Sequence, residues 1–256
     1  MDKRLEEFKR LLDIMDELRA KCPWDKEQTM ESLRHLTIEE TYELADSILE
    51  GKFQDIKKEL GDILLHIVFY AKIASEQQKF DITDVISGIC EKLIYRHPHV
   101  FGSVEVENSD DVKNNWENLK IKEGNKSILA GVPVSLPALV KAHRIQDKVR
   151  SVGFDWDDRT QIWEKIDEEL KELRDEFERG EEKAMEAEFG DLLFSLVNGA
   201  RLYNIDPEMA LERTNKKFIR RFNYLESQTL KKGKSLKEMT LDEMNVHWEE
   251  AKKQDK

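Results

Sequence analysis

Apolar residues recur at helical spacing along most of the chain. In the first stretch Leu5, Phe8, Leu11, Leu12, Met15 and Leu18 line one side, which predicts an amphipathic helix over about 5–20. Cys22-Pro23-Trp24-Asp25 ends it, because proline cannot continue a helix. A second helix is expected over about 29–50 with Gly51 as its C-cap, and a third over about 53–77. The run 63–71 within the third is apolar nearly all round and should be buried. Its surplus apolar positions, including Leu65 and Phe69, predict a partner helix from the other half or from another chain. Asp81 or Thr83 can cap a further helix reaching Arg96, closed by His97-Pro98-His99.

A polar segment over 103–122 carries Trp116 on a short helix. The stretch 124–137, with Gly124, Gly131, Pro133 and Pro137, reads as an ordered linker. Helical periodicity resumes over 138–150. Asn204-Ile205-Asp206-Pro207 forms a turn with Pro207 near a helix start, and the last amphipathic segment holds Trp248. No stretch alternates with the period of a strand. The expected fold class is all-α, built from helical bundles.

The second half repeats the first. Glu39-Glu40-x-x-Glu43 recurs as Glu168-Glu169-x-x-Glu172, and Glu59-x-x-Asp62 recurs as Glu188-x-x-Asp191, both displaced by 129 positions. Gly153-Phe154-Asp155-Trp156-Asp157 stands where Cys22-Pro23-Trp24-Asp25 stood, displaced by 132. The expected organisation is therefore a tandem repeat: a domain over 1–123, a linker over 124–137 and a second domain over 138–256.

Composition narrows the class. The chain has 256 residues, 38% of them charged and 39% hydrophobic, with 11 Gly and 5 Pro, a helix-rich and soluble balance. A net charge of −12 argues against a general nucleic-acid or anionic-membrane surface. Cys22 and Cys90 form neither a metal motif nor a disulfide framework. The charged N-terminal residues do not read as a signal peptide, and no apolar run approaches the ~20 residues of a membrane span. A cytoplasmic protein is the expectation.

The acidic motifs carry the chemistry. Residues three and four apart share a helix face, so Glu39, Glu40 and Glu43 make one acidic stripe and Glu59 and Asp62 another. A like-charge pair ~4 Å apart costs about 4 kcal/mol at an effective dielectric of ~20, so such a cluster calls for cations. A carboxylate-only donor set suits Mg²⁺ or Mn²⁺. One such motif alone would most simply be a solvated helix face. Two copies at fixed spacing, each with an aspartate heading an apolar run, favour a metal site.

Basic residues accompany the acids. Lys92 and Arg96 are four apart, and so are Lys217 and Arg221, displaced by 125; the four-residue shortening falls in the preceding loop. Lysine and arginine opposite a metal-loaded carboxylate cluster are what a polyphosphate needs. Trp116 and Trp248 could stack on a base, or be ordinary core tryptophans. No histidine follows a glutamate at i+3, which counts against a di-iron bundle. His66, four after Asp62, reads more readily as a buried, hydrogen-bonded imidazole than as a site residue. Phosphate-loop, dinucleotide and nucleophile motifs are absent.

With these motifs, and with Arg96-His97-Pro98-His99-Val100-Phe101 and Asn215-x-Lys217-Phe218-x-x-Arg221-Phe222, nearly the whole chain resembles the MazG family of the all-α NTP pyrophosphatase superfamily. The resemblance implies hydrolysis of NTPs and dNTPs between the α- and β-phosphates to a nucleoside monophosphate and pyrophosphate, with Mg²⁺, in a homodimer of tandem helical domains. It implies a role in nucleotide-pool housekeeping or in modulating nucleotide signals. Carried over residue by residue, it makes Glu40, Glu43, Glu59 and Asp62 metal ligands in the first half, and Glu169, Glu172, Glu188 and Asp191 in the second. Lys92 and Arg96, or Lys217 and Arg221, would hold phosphates, and Trp248 would lie near the nucleotide. Glu39 or Glu168 would position or deprotonate water. Both halves keep complete motifs, so the sequence does not choose between them. The competing readings are a narrower pyrophosphatase of the same fold, for dUTP or phosphoribosyl-ATP, and a non-catalytic helical sensor of Mg-nucleotide.

Overall fold

The computed structural model describes residues 2–108, 111–112, 115–116, 119, 127–156, 158–231 and 235–254. The linker's Gly124, the Asp157 of the repeated tryptophan motif and much of the polar segment over 103–122 lie outside the described residues. Among the described residues every regular element is helical. The chain divides into two compact units, Met1–Val106 and Glu107–Lys256.

The first unit opens with α1 (Lys3–Lys21), capped by the Asp2 carboxylate on the Arg4 amide at 2.9 Å. Pro23 does not simply stop the chain. Its fixed φ and missing N–H suit the first position of a new helix, and the short α2 (Pro23–Glu27) starts on it. The reciprocal Thr29–Ser32 capping box opens α3 (Met30–Glu50). Gly51, at φ +66°, closes it in the left-handed conformation that favours glycine. The chain turns at once into α4 (Phe53–Glu76), so α3 and α4 pack along each other as a helical hairpin. Asp81 caps α5 (Ile82–Arg96), which lies on α4, and Pro98 starts the single turn α6 (Pro98–Phe101).

The core of this unit is Met15, Leu33, Val68, Phe69 and Ile73, with Leu65 packed against it. Leu65 and Phe69 therefore need no outside partner. They fill the space between α1, α3 and α4. The apolar surplus of α4 sits instead at Leu60, Leu64 and Ile67, which stay exposed.

The second unit repeats the hairpin. After a 3-10 turn at Ile128–Gly131 come α7 (Ala138–Arg150), α8 (Gln161–Arg179) and α9 (Glu182–Leu202). Gly180, at φ +78°, makes the turn between α8 and α9. The long α10 (Pro207–Lys231) begins on Pro207 and packs on α7 and α11 (Leu241–Lys253). Buried Lys148 ties α7 to the 3-10 turn through the Ile128 carbonyl at 3.1 Å.

The interiors of the two hairpins differ at matching positions. In the first, the Thr37 hydroxyl meets His66 Nδ1 at 2.8 Å and the Tyr70 hydroxyl at 2.7 Å. Shifted by 129, these positions are Ile166, Ser195 and Gly199. Gly199 is buried where a Cβ would lie 3.4 Å from Ile166 Cδ1, so a polar network in one unit is replaced by close apolar packing in the other.

Candidate active site

Each hairpin brings three carboxylates together. Glu40 and Glu43, one turn apart on α3, meet Glu59 on α4, and oxygens of the three lie within 4.8 Å of one another. Glu169 and Glu172 on α8 meet Glu188 on α9 with the same mutual limit. Glu59 and Glu169 are buried, whereas Glu43 and Glu172 are exposed. The carboxylates therefore span from the helix interface to its surface. Asp62 and Asp191 stand outside these trios, but their charges act on Glu40 and Glu188 respectively. Glu39 is exposed beside its trio, and Glu168 is exposed and paired to Lys165.

The electrostatics show crowding. Burial, then the charges of Asp62, Glu43 and Glu59, push the Glu40 carboxyl above its usual range. Burial, then Glu172, Asp191, Glu169 and Glu176, push Glu188 in the same direction. Partial relief comes from two lysines outside the repeated motifs. Lys58 Nζ lies 3.2 Å from Glu59 and 3.8 Å from Asp62. Lys165 Nζ lies 2.7 Å from Glu169 and 3.0 Å from Glu168. Both ammonium groups are held above their usual range by these carboxylates. The spacing was there to read, since Lys165 precedes Glu168 and Glu169 by three and four residues. What hid it is that the lysines do not obey the repeat: position 187 is Ala and position 36 is Leu.

Oxygen-only donors, close enough to share one ion and still short of positive charge, fit a hard divalent cation. Glu40, Glu43 and Glu59 would hold it in the first unit, and Glu169, Glu172 and Glu188 in the second.

His66 is buried at the floor of the first hairpin. Burial lowers its pKa, against a smaller opposing effect of the Asp62 charge. Lys92 and Arg96 ride on α5, which packs on α4. Lys217 and Arg221 ride on α10. The Arg221 guanidinium lies 5.8 Å above the Trp248 ring, and Phe218 lies 5.0 Å from it on the other turn of the same face. Trp248 of α11 is thus part of the cationic face of α10. Trp116 is half-buried and falls within the second compact unit.

The repeated tryptophan motif has a structural part in holding these helices. In the second unit buried Arg201 of α9 clasps Asp155 with both terminal nitrogens. In the first, Arg19 reaches the backbone carbonyls of Asp25 and Gln28 and the Glu76 carboxylate.

Fold and site together define an all-α tandem protein with a carboxylate trio in each hairpin that could hold a cation. Residues 28–101 and 158–225 each match the MazG nucleotide pyrophosphohydrolase domain. A relative from Thermotoga maritima, called nucleoside triphosphate pyrophosphohydrolase/pyrophosphatase MazG, is 44% identical over 250 residues, which is 96% of this chain and 95% of that protein. The nucleoside triphosphate pyrophosphohydrolase of Escherichia coli K12 is 40% identical over 260 residues, 98% of this chain and 99% of that one. A crystal structure of a mazG-related protein from Thermotoga maritima aligns at 25% identity and a TM-score of 0.40, covering 44% of this chain and 98% of its own. The chain belongs to the MazG nucleotide pyrophosphohydrolase family. Among the described residues no helix is long and apolar enough to cross a membrane.

Proposed function

We propose that this protein hydrolyses nucleoside triphosphates, ribo and deoxy, between the α- and β-phosphates, releasing a nucleoside monophosphate and pyrophosphate. The observation that carries the reading is the pair of carboxylate trios, each gathered within 4.8 Å on a two-helix hairpin. Mg²⁺ is the cation proposed for them, with Mn²⁺ as a substitute; once bound, it neutralises phosphate charge and polarises the reacting phosphoryl group. Asp62 and Asp191 are proposed to complete the ligand sets from the next turn of α4 and α9.

Lys217 and Arg221, and in the first unit Lys92 and Arg96, take phosphate oxygens, arginine through its planar fork and lysine as a point charge. Trp248, flanked by Phe218 and Arg221, is proposed to take the base, and Trp116 is proposed as a further residue that stacks on a base. Glu39 and Glu168 orient the attacking water and accept its proton; both are exposed and adjacent to a trio. The domains that hold these sites are taken as 1–123 and 138–256, joined by 124–137.

The assembly proposed is a homodimer. Leu60, Leu64 and Ile67 on α4, and Phe189, Leu193 and Leu196 on α9, leave apolar strips exposed that a second copy would cover. Light scattering should give twice the chain mass of 30.2 kDa, and a monomer at micromolar concentration would contradict this. The role proposed is cytoplasmic housekeeping of the nucleotide pool. Activity is tested by separating the products from each common NTP and dNTP, with Mg²⁺ and with EDTA. Pyrophosphate with a monophosphate, only with Mg²⁺, is expected. Orthophosphate with a diphosphate would overturn the reading.

A further inference from the structure

A polar basin of about 400 Å³ opens where the end of α7, the loop before α8 and the C-terminal end of α9 meet. It lies at the far end of the hairpin from the acidic trio. Thirteen residues of α9 separate Arg201 from Glu188, about 20 Å at 1.5 Å per residue. Its floor is buried Arg201, whose donors are spent on Asp155 and on Asn198 Oδ1 at 2.8–3.0 Å. Burial pushes the Asp155 carboxyl up, but the Arg201 hydrogen bond, the Trp156 amide and the charges of Arg201 and Arg150 outweigh it and hold it ionised below its usual range. That acid is therefore neutralised from below. Asp158, the other acid of the described lining, accepts from the Thr160 amide at 2.8 Å at the start of α8.

The rim carries cations with donors to spare. Arg150 is half-exposed and comes no nearer to Asp155 than 3.5 Å, through Nε, so its terminal nitrogens are not drawn into a short contact with that acid. Arg159 sets its guanidinium 5.0 Å over the Tyr203 ring, a cation–π contact that spends none of its N–H donors, and its charge also acts on Asp158. Tyr203 is itself fixed by the Trp163 Nε1–H, which donates to its hydroxyl at 3.1 Å. Trp156 lines the same basin and is 40% exposed. Two guanidinium forks match a phosphate, an exposed indole beside them matches a ring system, and the volume suits a small ligand.

We propose that this basin is a second nucleotide site, in which Arg150 and Arg159 grip a phosphate and the base rests against Trp156, with no divalent cation required. Neither the trio nor Lys217 and Arg221 line it.

The test titrates adenosine monophosphate into the full chain in EDTA, followed by tryptophan fluorescence and by calorimetry. Saturable binding with quenching is expected. Arg150→Gln combined with Arg159→Gln should weaken binding at least tenfold. Both side chains are exposed, so this variant should melt like the parent, and circular dichroism checks that it does. Trp156→Phe should remove the quenching while calorimetry still detects binding. Lys217→Gln combined with Arg221→Gln should leave the titration unchanged. Absence of saturable binding, binding indifferent to the Arg150 and Arg159 changes, or binding lost with Lys217 and Arg221 would each overturn the proposal.

Discussion

Replacing Glu40 by glutamine should make the metal-free protein more stable. Its carboxylate has an oxygen within 4.8 Å of oxygens on both Glu43 and Glu59. At that separation a like-charge pair costs about 0.9 kcal/mol in bulk water and about 3.5 kcal/mol at an effective dielectric of ~20. Glu40 is half-buried and Lys58 screens the cluster, so two pairs relieved should give about 1–2 kcal/mol. For a chain of this length that raises Tm by roughly 2–8 °C. Glutamine keeps the volume and the helix propensity, so little else changes.

Excess Mg²⁺ should reverse the order. A ligand at a hundredfold excess over its Kd stabilises by about 2.7 kcal/mol, and Glu40→Gln removes one of its donors. The pH dependence has a definite sign. The folded pKa of Glu40 is raised, by burial first and its acidic neighbours next. Its cost to the folded state is therefore fully present above that folded pKa. It fades as pH falls through the folded pKa toward the ordinary glutamate value. The advantage of Glu40→Gln should be greatest near neutrality and vanish in acid. Thermal melts of the parent and variant in EDTA and in Mg²⁺, across this range, provide the assay. A variant less stable than the parent in EDTA at neutral pH, or equal stabilisation of both by Mg²⁺, would refute the reasoning.

Three further substitutions separate structure from chemistry. The Thr37 hydroxyl can donate to the Leu33 carbonyl at 3.1 Å and accept from His66 and Tyr70, so Thr37→Val should cost about 1–3 kcal/mol by leaving buried groups unmatched; a lower urea midpoint at unchanged slope checks it. Glu43→Gln and Glu172→Gln should each remove part of the activity, with only the double variant inactive, if both trios work. Steady-state turnover decides, and full activity in Glu172→Gln would assign catalysis to the first unit alone.

The helices were legible because their ends carry explicit chemistry. Asp81, Gly51 and Pro207 each act where their side-chain or backbone preferences place them. The acidic sites were legible because i,i+3 spacing on two adjacent helices, repeated at one displacement, leaves few ways to arrange the carboxylates. What the pattern missed depends on the third dimension. Periodicity marked Leu65 and Phe69 as surplus, but it could not say that α1 would cover them while leaving Leu64 and Ile67 open. The lysines that offset each trio, Lys58 and Lys165, come from opposite helices of the hairpin. A search for repeats discards such residues because their positions do not recur. The clasp of Asp155 by Arg201 joins residues 46 apart, a pairing that no local spacing announces. Which carboxylate of the motif is buried was hidden as well. The desolvated members are Glu59 and Glu169, whereas Asp62 and Asp191, at the heads of the apolar runs, keep solvent contact.

The position of water attack distinguishes a pyrophosphohydrolase from other triphosphatases. Hydrolysis of an NTP in ¹⁸O-water with Mg²⁺, read by mass spectrometry of both products, locates the new phosphorus–oxygen bond. Attack at the α-phosphate, as the carboxylate trios and the cationic face of α10 are proposed to direct it, puts the label in the nucleoside monophosphate and leaves the pyrophosphate unlabelled. Label in pyrophosphate, or in orthophosphate released from the γ-position, would contradict the account.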